Sequence, residues 1–138
     1  MLAPTHLFFA YALAEILRLP RLPAIIGGVI VDMDMVLQYG FPFMHRGIVH
    51  TPLIMIVSMM VLYVFTKNQD QAFSFGLGFV SHLFLDTLNP TGIMWLYPYP
   101  MYFSLNLAQY NNLIANAGII FASLLCIVFY RWKNEQRA

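Results

Sequence analysis

The sequence predicts an all-α protein: an integral membrane bundle of about five short transmembrane helices with one aromatic-rich loop at the membrane interface. Three observations predict it. Hydrophobic residues make up 60% of the 138-residue chain and charged residues 9%, against roughly 45–50% and about 25% in soluble domains. Seven basic and six acidic side chains with four histidines are too few to cover a small soluble domain, which makes lipid the expected solvent. The apolar residues fall in separate runs without apolar–polar alternation, which excludes a transmembrane β-barrel. At this length the expectation is a single membrane-embedded domain over residues 1–138.

The expected spans run from Leu2 to Leu17, Leu22 to Gln38, Ile48 to Thr66, Ala72 to Leu88 and Leu113 to Tyr130. At 1.5 Å per residue they reach roughly 24–29 Å, slightly short of a ~30 Å hydrocarbon core. Helix starts are expected at Thr5 and at Thr51, where Pro52 in the first turn costs no hydrogen bond. Asn89, Pro90 and Gly92 read as a helix stop and turn. The long connection from Asn89 to Asn112 carries Trp95, Tyr97, Tyr99, Tyr102 and Tyr110, amphipathic rings suited to headgroup depth. Gly76 and Gly78 read as sites of close helix packing.

Charge sets the expected orientation. Arg18, Arg21, Lys67, Arg131, Lys133 and Arg137 all fall on one side of five alternating spans, the cytoplasmic side by the positive-inside rule. The expected location is therefore the cytoplasmic (inner) membrane, multi-pass, with the C-terminus cytoplasmic. Arg46 is the one basic residue left outside, where snorkelling to lipid phosphates is the ordinary fate. A net charge of +1 gives no reason to expect nucleic acid as a partner. The single cysteine, Cys126, removes disulfides and thiolate metal sites.

All four histidines and three of the four aspartates fall at the outer ends of these spans. His6 begins the first, Asp32 and Asp34 end the second, His45 and His50 bracket the start of the third, and His82 and Asp86 end the fourth. His82 and Asp86 are one helical turn apart and share a face, which places an imidazole nitrogen and a carboxylate oxygen within reach of one ion. Aspartates in lipid cost about 2.5–3.5 kcal/mol each at a helix centre, and a divalent cation offsets that cost. Imidazole with carboxylate suits Zn²⁺, Mn²⁺ or Fe²⁺, with Zn²⁺ or Mn²⁺ first, whereas Ca²⁺ prefers oxygen alone. Seven candidate ligands exceed one tetrahedral site, so either two ions bind or some of the seven orient the others. Asp32 and Asp34 point to opposite sides of a regular helix, so one of them reaches the ion unless the helix ends there. Each residue also has an ordinary reading: His6 as an interfacial histidine, Asp32 and Asp34 as a helix end meeting water, His45 and His50 as loop residues.

The histidine near the start, the D-x-D of VDMD, His45, Arg46, Gly47 and His50 in HRGIVH, and Ser81, His82, Leu83, Leu85 and Asp86 in SHLFLD, with Gly92 after them, together resemble the YdjM-like family of inner-membrane-associated metal-dependent hydrolases. The likeness covers about the first hundred residues. Val31 stands where the family usually has proline, and Val49 and Thr51 replace a Thr and a Ser around the second histidine. The resemblance implies a multi-helix membrane domain with a His/Asp metal site and hydrolysis of a lipid or other phosphoester. The expected ligands are His6, Asp34, His45, His50, His82 and Asp86, around one or two divalent ions that make a nucleophile of water near neutral pH. Asp32 is then expected to take the proton, and Arg46 to stabilise charge on a phosphoryl oxygen. The aromatic loop is expected to close over the site or hold an acyl chain. A cation or proton transporter and a purely structural metal site are the alternatives.

Overall fold

The computed structural model describes residues 1–37 and 46–136. Their order is α1 (Ala3–Leu17), α2 (Arg21–Ile30), a 3-10 turn (Val31–Met33), the one-turn α3 (Asp34–Leu37), a second 3-10 turn (Ile48–His50), α4 (Pro52–Thr66), α5 (Gln69–Thr87) and α6 (Leu113–Glu135). The described residues are all-helical apart from one isolated bridge between Ile93 and Phe103. α5 is the central helix, packed against α1, α2 and α4, and α6 packs on the far side of α1.

Two glycines, Gly27 on α2 and Gly78 on α5, bring the central helices together. A Cβ at Gly27 would lie 2.1 Å from the Phe75 carbonyl oxygen, and one at Gly78 would lie 1.9 Å from that of Ala24. Only glycine permits this approach of α2 to α5, and small-residue contacts are how helices associate where lipid removes the hydrophobic drive. Above this contact Val31, Phe75, Phe79, Leu83 and Ile93 form a buried cluster.

The outward faces are apolar. No residue of α4 is fully buried, and Met60, Val64 and Phe65 on α4, with Ile114, Phe121 and Val128 on α6, are all exposed. An apolar surface this extensive marks contact with something other than water. α6, with 23 residues, is the one described helix both long and apolar enough to cross a membrane, while α1 and α4 are shorter apolar helices.

Helix ends differ from expectation at two places. α1 begins at Ala3, with Pro4 in its first turn and no side-chain cap; Thr5 does not cap it, because its hydroxyl donates instead to Asn116 Oδ1 at 2.6 Å. The second apolar run is not one helix but α2, a 3-10 turn and α3 in succession. At Thr51 the expectation holds: its Oγ1 accepts from Ile54 N at the start of α4. The aromatic connection is tied to the end of α5 by Trp95 Nε1 donating to Thr87 Oγ1 and by Leu105 N donating to the Thr87 carbonyl. It borders an apolar cleft of about 470 Å³ with Phe84 and Thr87. Phe84 lies two residues from both His82 and Asp86, so this cleft opens on the opposite side of α5 from them.

Candidate metal centre

Four segments bring the predicted residues together: the start of α1 (His6), the 3-10 turn after α2 with the first residue of α3 (Asp32, Asp34), the turn before α4 (Arg46, His50) and the end of α5 (His82, Asp86). His45 lies outside the described residues. His6, His50 and His82 are fully buried, and Asp34 and Asp86 nearly so. The Asp32 side chain, 19% exposed, is the most open carboxylate of the cluster.

His82 shows most clearly what the arrangement can hold. Its Nδ1 lies 2.9 Å from the Gly28 carbonyl oxygen. A carbonyl only accepts, so Nδ1 carries a proton, and in the neutral ring Nε2 presents a lone pair. That Nε2 makes no hydrogen bond among the described residues. It faces Asp32 Oδ1 at 3.5 Å and Asp86 Oδ2 at 3.6 Å. A lone pair turned toward two carboxylate oxygens, buried and unbonded, is unfavourable unless a proton or a metal cation lies between them. The close glycine contact between α2 and α5 creates this arrangement by bringing the Gly28 carbonyl within reach of the ring.

His50 Nε2 faces the same two oxygens, at 3.8 Å from Asp32 Oδ1 and 4.0 Å from Asp86 Oδ2. These separations are too long for hydrogen bonds. They are close to the ~3.3–3.6 Å that a tetrahedral ion bound at about 2.0–2.2 Å sets between its ligands. Among the described residues two triads have the spacing to hold an ion, His6/Asp32/His82 and His50/His82/Asp86, and they share His82. The His6 ring stacks on that of His82 with centroids 3.8 Å apart, and neither His6 nitrogen makes a hydrogen bond among the described residues.

Asp32 and Asp34 both turn toward the site, because the chain there leaves the regular helix for a 3-10 turn. Asp32 faces His50 Nε2, whereas Asp34 Oδ2 lies 3.0 Å from the other ring nitrogen, Nδ1, and accepts from Arg46 N at 3.3 Å. The geometry thus puts Asp32, not Asp34, among the grouped ligand atoms, and puts Asp34 where a carboxylate orients a ligating histidine.

Asp86 is the most connected member. Its Oδ1 accepts from the Met1 ammonium at 2.7 Å and from Asn89 Nδ2 at 3.1 Å, and lies 3.4 Å from His6 Nε2. Its Oδ2 pairs with Arg46 Nη2 at 3.1 Å. Arg46 also donates to Thr91 Oγ1. The guanidinium is therefore directed inward onto Asp86, which explains a basic residue at this end better than snorkelling does. Sequence reasoning missed the Met1 amine, Asn89, Thr91 and the Gly28 carbonyl. Asn89, three residues after Asp86 at a helix end, fits a turn and a partner for Asp86 equally well in sequence; a backbone carbonyl carries no sequence signal.

No curated protein and no solved structure matches this chain. The match to a family extends beyond the motif-bearing first hundred residues and includes α6, where the sequence showed no motif: residues 1–138, the whole chain, match the family described as YdjM inner membrane protein, and the chain belongs to it.

Proposed function

We propose that this protein is a multi-pass inner-membrane metal-dependent hydrolase acting on a phospholipid or related phosphoester at the membrane interface. The observation that carries the reading is the unbonded Nε2 lone pair of His82, held at 3.5 and 3.6 Å from two carboxylate oxygens. His50, His82, Asp32 and Asp86 are the residues that would hold a divalent ion, Zn²⁺ or Mn²⁺ by ligand type, with His6 beside them for a second. When bound, the ion supplies Lewis-acid polarisation of a phosphoryl or water oxygen.

The chain's own groups supply the rest. Asp34 orients His50, and the Gly28 carbonyl orients His82. Asp32, the most open carboxylate of the cluster, takes the proton released as water attacks phosphorus and passes it to the leaving alkoxide oxygen as the ester P–O bond breaks. Arg46, with part of its donor fork committed to Asp86 and Thr91, offers its remaining N–H groups to a phosphoryl oxygen. Relative to the expectation from the sequence, Asp32 keeps the proton and takes over the place of Asp34 beside the ion, and Asp34 orients His50 instead. We read α1, α2 with its following turns, α4, α5 and α6 as the five spans, with the C-terminus cytoplasmic and the site outside.

A second reading is a structural metal site that only ties the helices together. The burial of His6, His50 and His82, each 0% exposed, favours it. One experiment separates the two. Detergent-purified protein is stripped with a chelator, reloaded with Zn²⁺ or Mn²⁺, and assayed on phosphodiester and phospholipid substrates. Metal-dependent turnover that Asp32→Ala abolishes is expected. Full metal occupancy without hydrolysis of any substrate would leave the structural reading, and absence of metal binding would remove both.

A further inference from the structure

The end of the bundle opposite the His/Asp cluster carries a second polar feature, unrelated to hydrolysis. A cleft of about 870 Å³ opens between the end of α1, the start of α2, the start of α5 and the end of α6; its lining includes Glu15, Arg18, Arg21, Asp70 and Asn134. Glu15 is buried, 5% exposed. Arg21 Nε lies 2.7 Å from its Oε1, and Arg131 Nε donates to the same oxygen at 3.2 Å. One buried carboxylate thus gathers two guanidinium groups from helices distant in sequence, and both arginine side chains stay about half exposed, at 56% and 47%. Arg131 is held further by Tyr11, whose hydroxyl accepts from it and whose ring it covers.

Arg18 adds a third cation. It ends α1 in the left-handed conformation, φ 56°, with its backbone N–H bonded to the Glu15 carbonyl, so its side chain leaves the helix axis at the cleft. It is exposed and makes no ion pair among the described residues. With Arg131 bound to Glu15 from outside the lining, three guanidinium groups stand at this end around the carboxylates of Glu15 and Asp70, and Glu15 is already shared between two of them. Two of them, Arg18 and Arg21, line the cleft itself. Planar guanidinium forks with free N–H groups match phosphate oxygens, and basic pockets between membrane helices on the cytoplasmic side are where anionic headgroups bind.

We propose that this cleft is a phosphate-anion site, filled by the headgroup of an anionic phospholipid or by free phosphate, with Arg18 and Arg21 as the binding residues and Glu15 as the residue that positions Arg21. Native mass spectrometry of the delipidated full chain in detergent tests it, with phosphatidylglycerol, phosphatidylcholine and inorganic phosphate as probes. Phosphatidylglycerol or phosphate is expected to bind wild type at least about tenfold more tightly than phosphatidylcholine. The same holds for Lys67→Gln, which removes a charge outside the cleft. The preference is expected to vanish in Arg18→Gln/Arg21→Gln. Arg18→Gln alone, at an exposed residue without an ion pair, gives the same reading at about half the loss if the double variant does not fold. Displacement of phosphatidylglycerol by inorganic phosphate assigns the site to the free anion, and resistance to displacement assigns it to the lipid. Equal binding of all probes by wild type, or unchanged binding in the arginine variants, overturns the proposal.

Discussion

Gly28 offers a carbonyl and His82 a ring N–H, and that one hydrogen bond determines which imidazole nitrogen faces Asp32 and Asp86. Burial makes the consequence energetic: a ring nitrogen and two carboxylate oxygens facing one another beyond hydrogen-bond distance favour a cation among them. Asp86 meets the Met1 ammonium at Oδ1, 2.7 Å, and Arg46 at Oδ2, 3.1 Å, and a guanidinium cannot ligate a metal. Arg46→Ala is therefore expected to leave metal per protein unchanged while lowering phosphoester turnover by about 10²-fold, the usual cost of losing one charge-stabilising donor. Arg46→Lys should recover part of the loss, since a point charge replaces a fork. Equal kcat/KM in all three proteins would take Arg46 out of the reaction. The one-turn spacing of His82 and Asp86 was legible in the sequence, as was the nearness of Asn89, whereas the Met1 amine and the Arg46 guanidinium stand far from Asp86 along the chain and are brought to it by folding.

Between elements, the contact of α2 with α5 positions the site. Gly78 sits where a Cβ would meet the Ala24 carbonyl oxygen at 1.9 Å and Gly28 N at 2.8 Å. Backbone atoms cannot give way as a flexible side chain does, so Gly78→Ala must push the helices apart and carry the Gly28 carbonyl away from His82. A loss of roughly 1–3 kcal/mol is expected from such overpacking, read as a lower Tm in detergent together with lower metal occupancy. Gly118→Ala on α6 is the contrasting case: a Cβ there meets nothing within 4 Å, and the variant is expected to gain up to about 1 kcal/mol from helix propensity with metal content unchanged. Equal Tm changes in the two variants would contradict close packing at Gly78. The sequence marked Gly76 and Gly78 as packing residues and placed α1, α4, α5 and α6 near their observed bounds, because long apolar runs between polar breaks are a direct signal. It missed the interruption of the second run, since the 3-10 turn at Val31–Met33 contains neither proline nor glycine. That interruption is why both Asp32 and Asp34 reach His50.

Across the whole molecule, polar residues separate to two ends and apolar ones face outward between them. The His/Asp cluster occupies one end, and Glu15 with its arginines the other. Charge counting along the sequence foresaw this division, since alternating helices return every second connection to the same end. Cysteine substitutions at Lys67 and Tyr99, in a Cys126→Ser background, test its orientation in intact cells. An impermeant thiol reagent is expected to label position 99 and not 67; the reverse would place the His/Asp cluster on the cytoplasmic side. The direct test of the central claim is metal per protein in His82→Ala, Asp86→Ala and the double variant, each first shown to remain helical and monodisperse in detergent. If both side chains hold the same ion, each single change removes most of the metal and the second adds little, because residues acting as a unit do not contribute additively. Full occupancy in both single variants would contradict a shared metal centre.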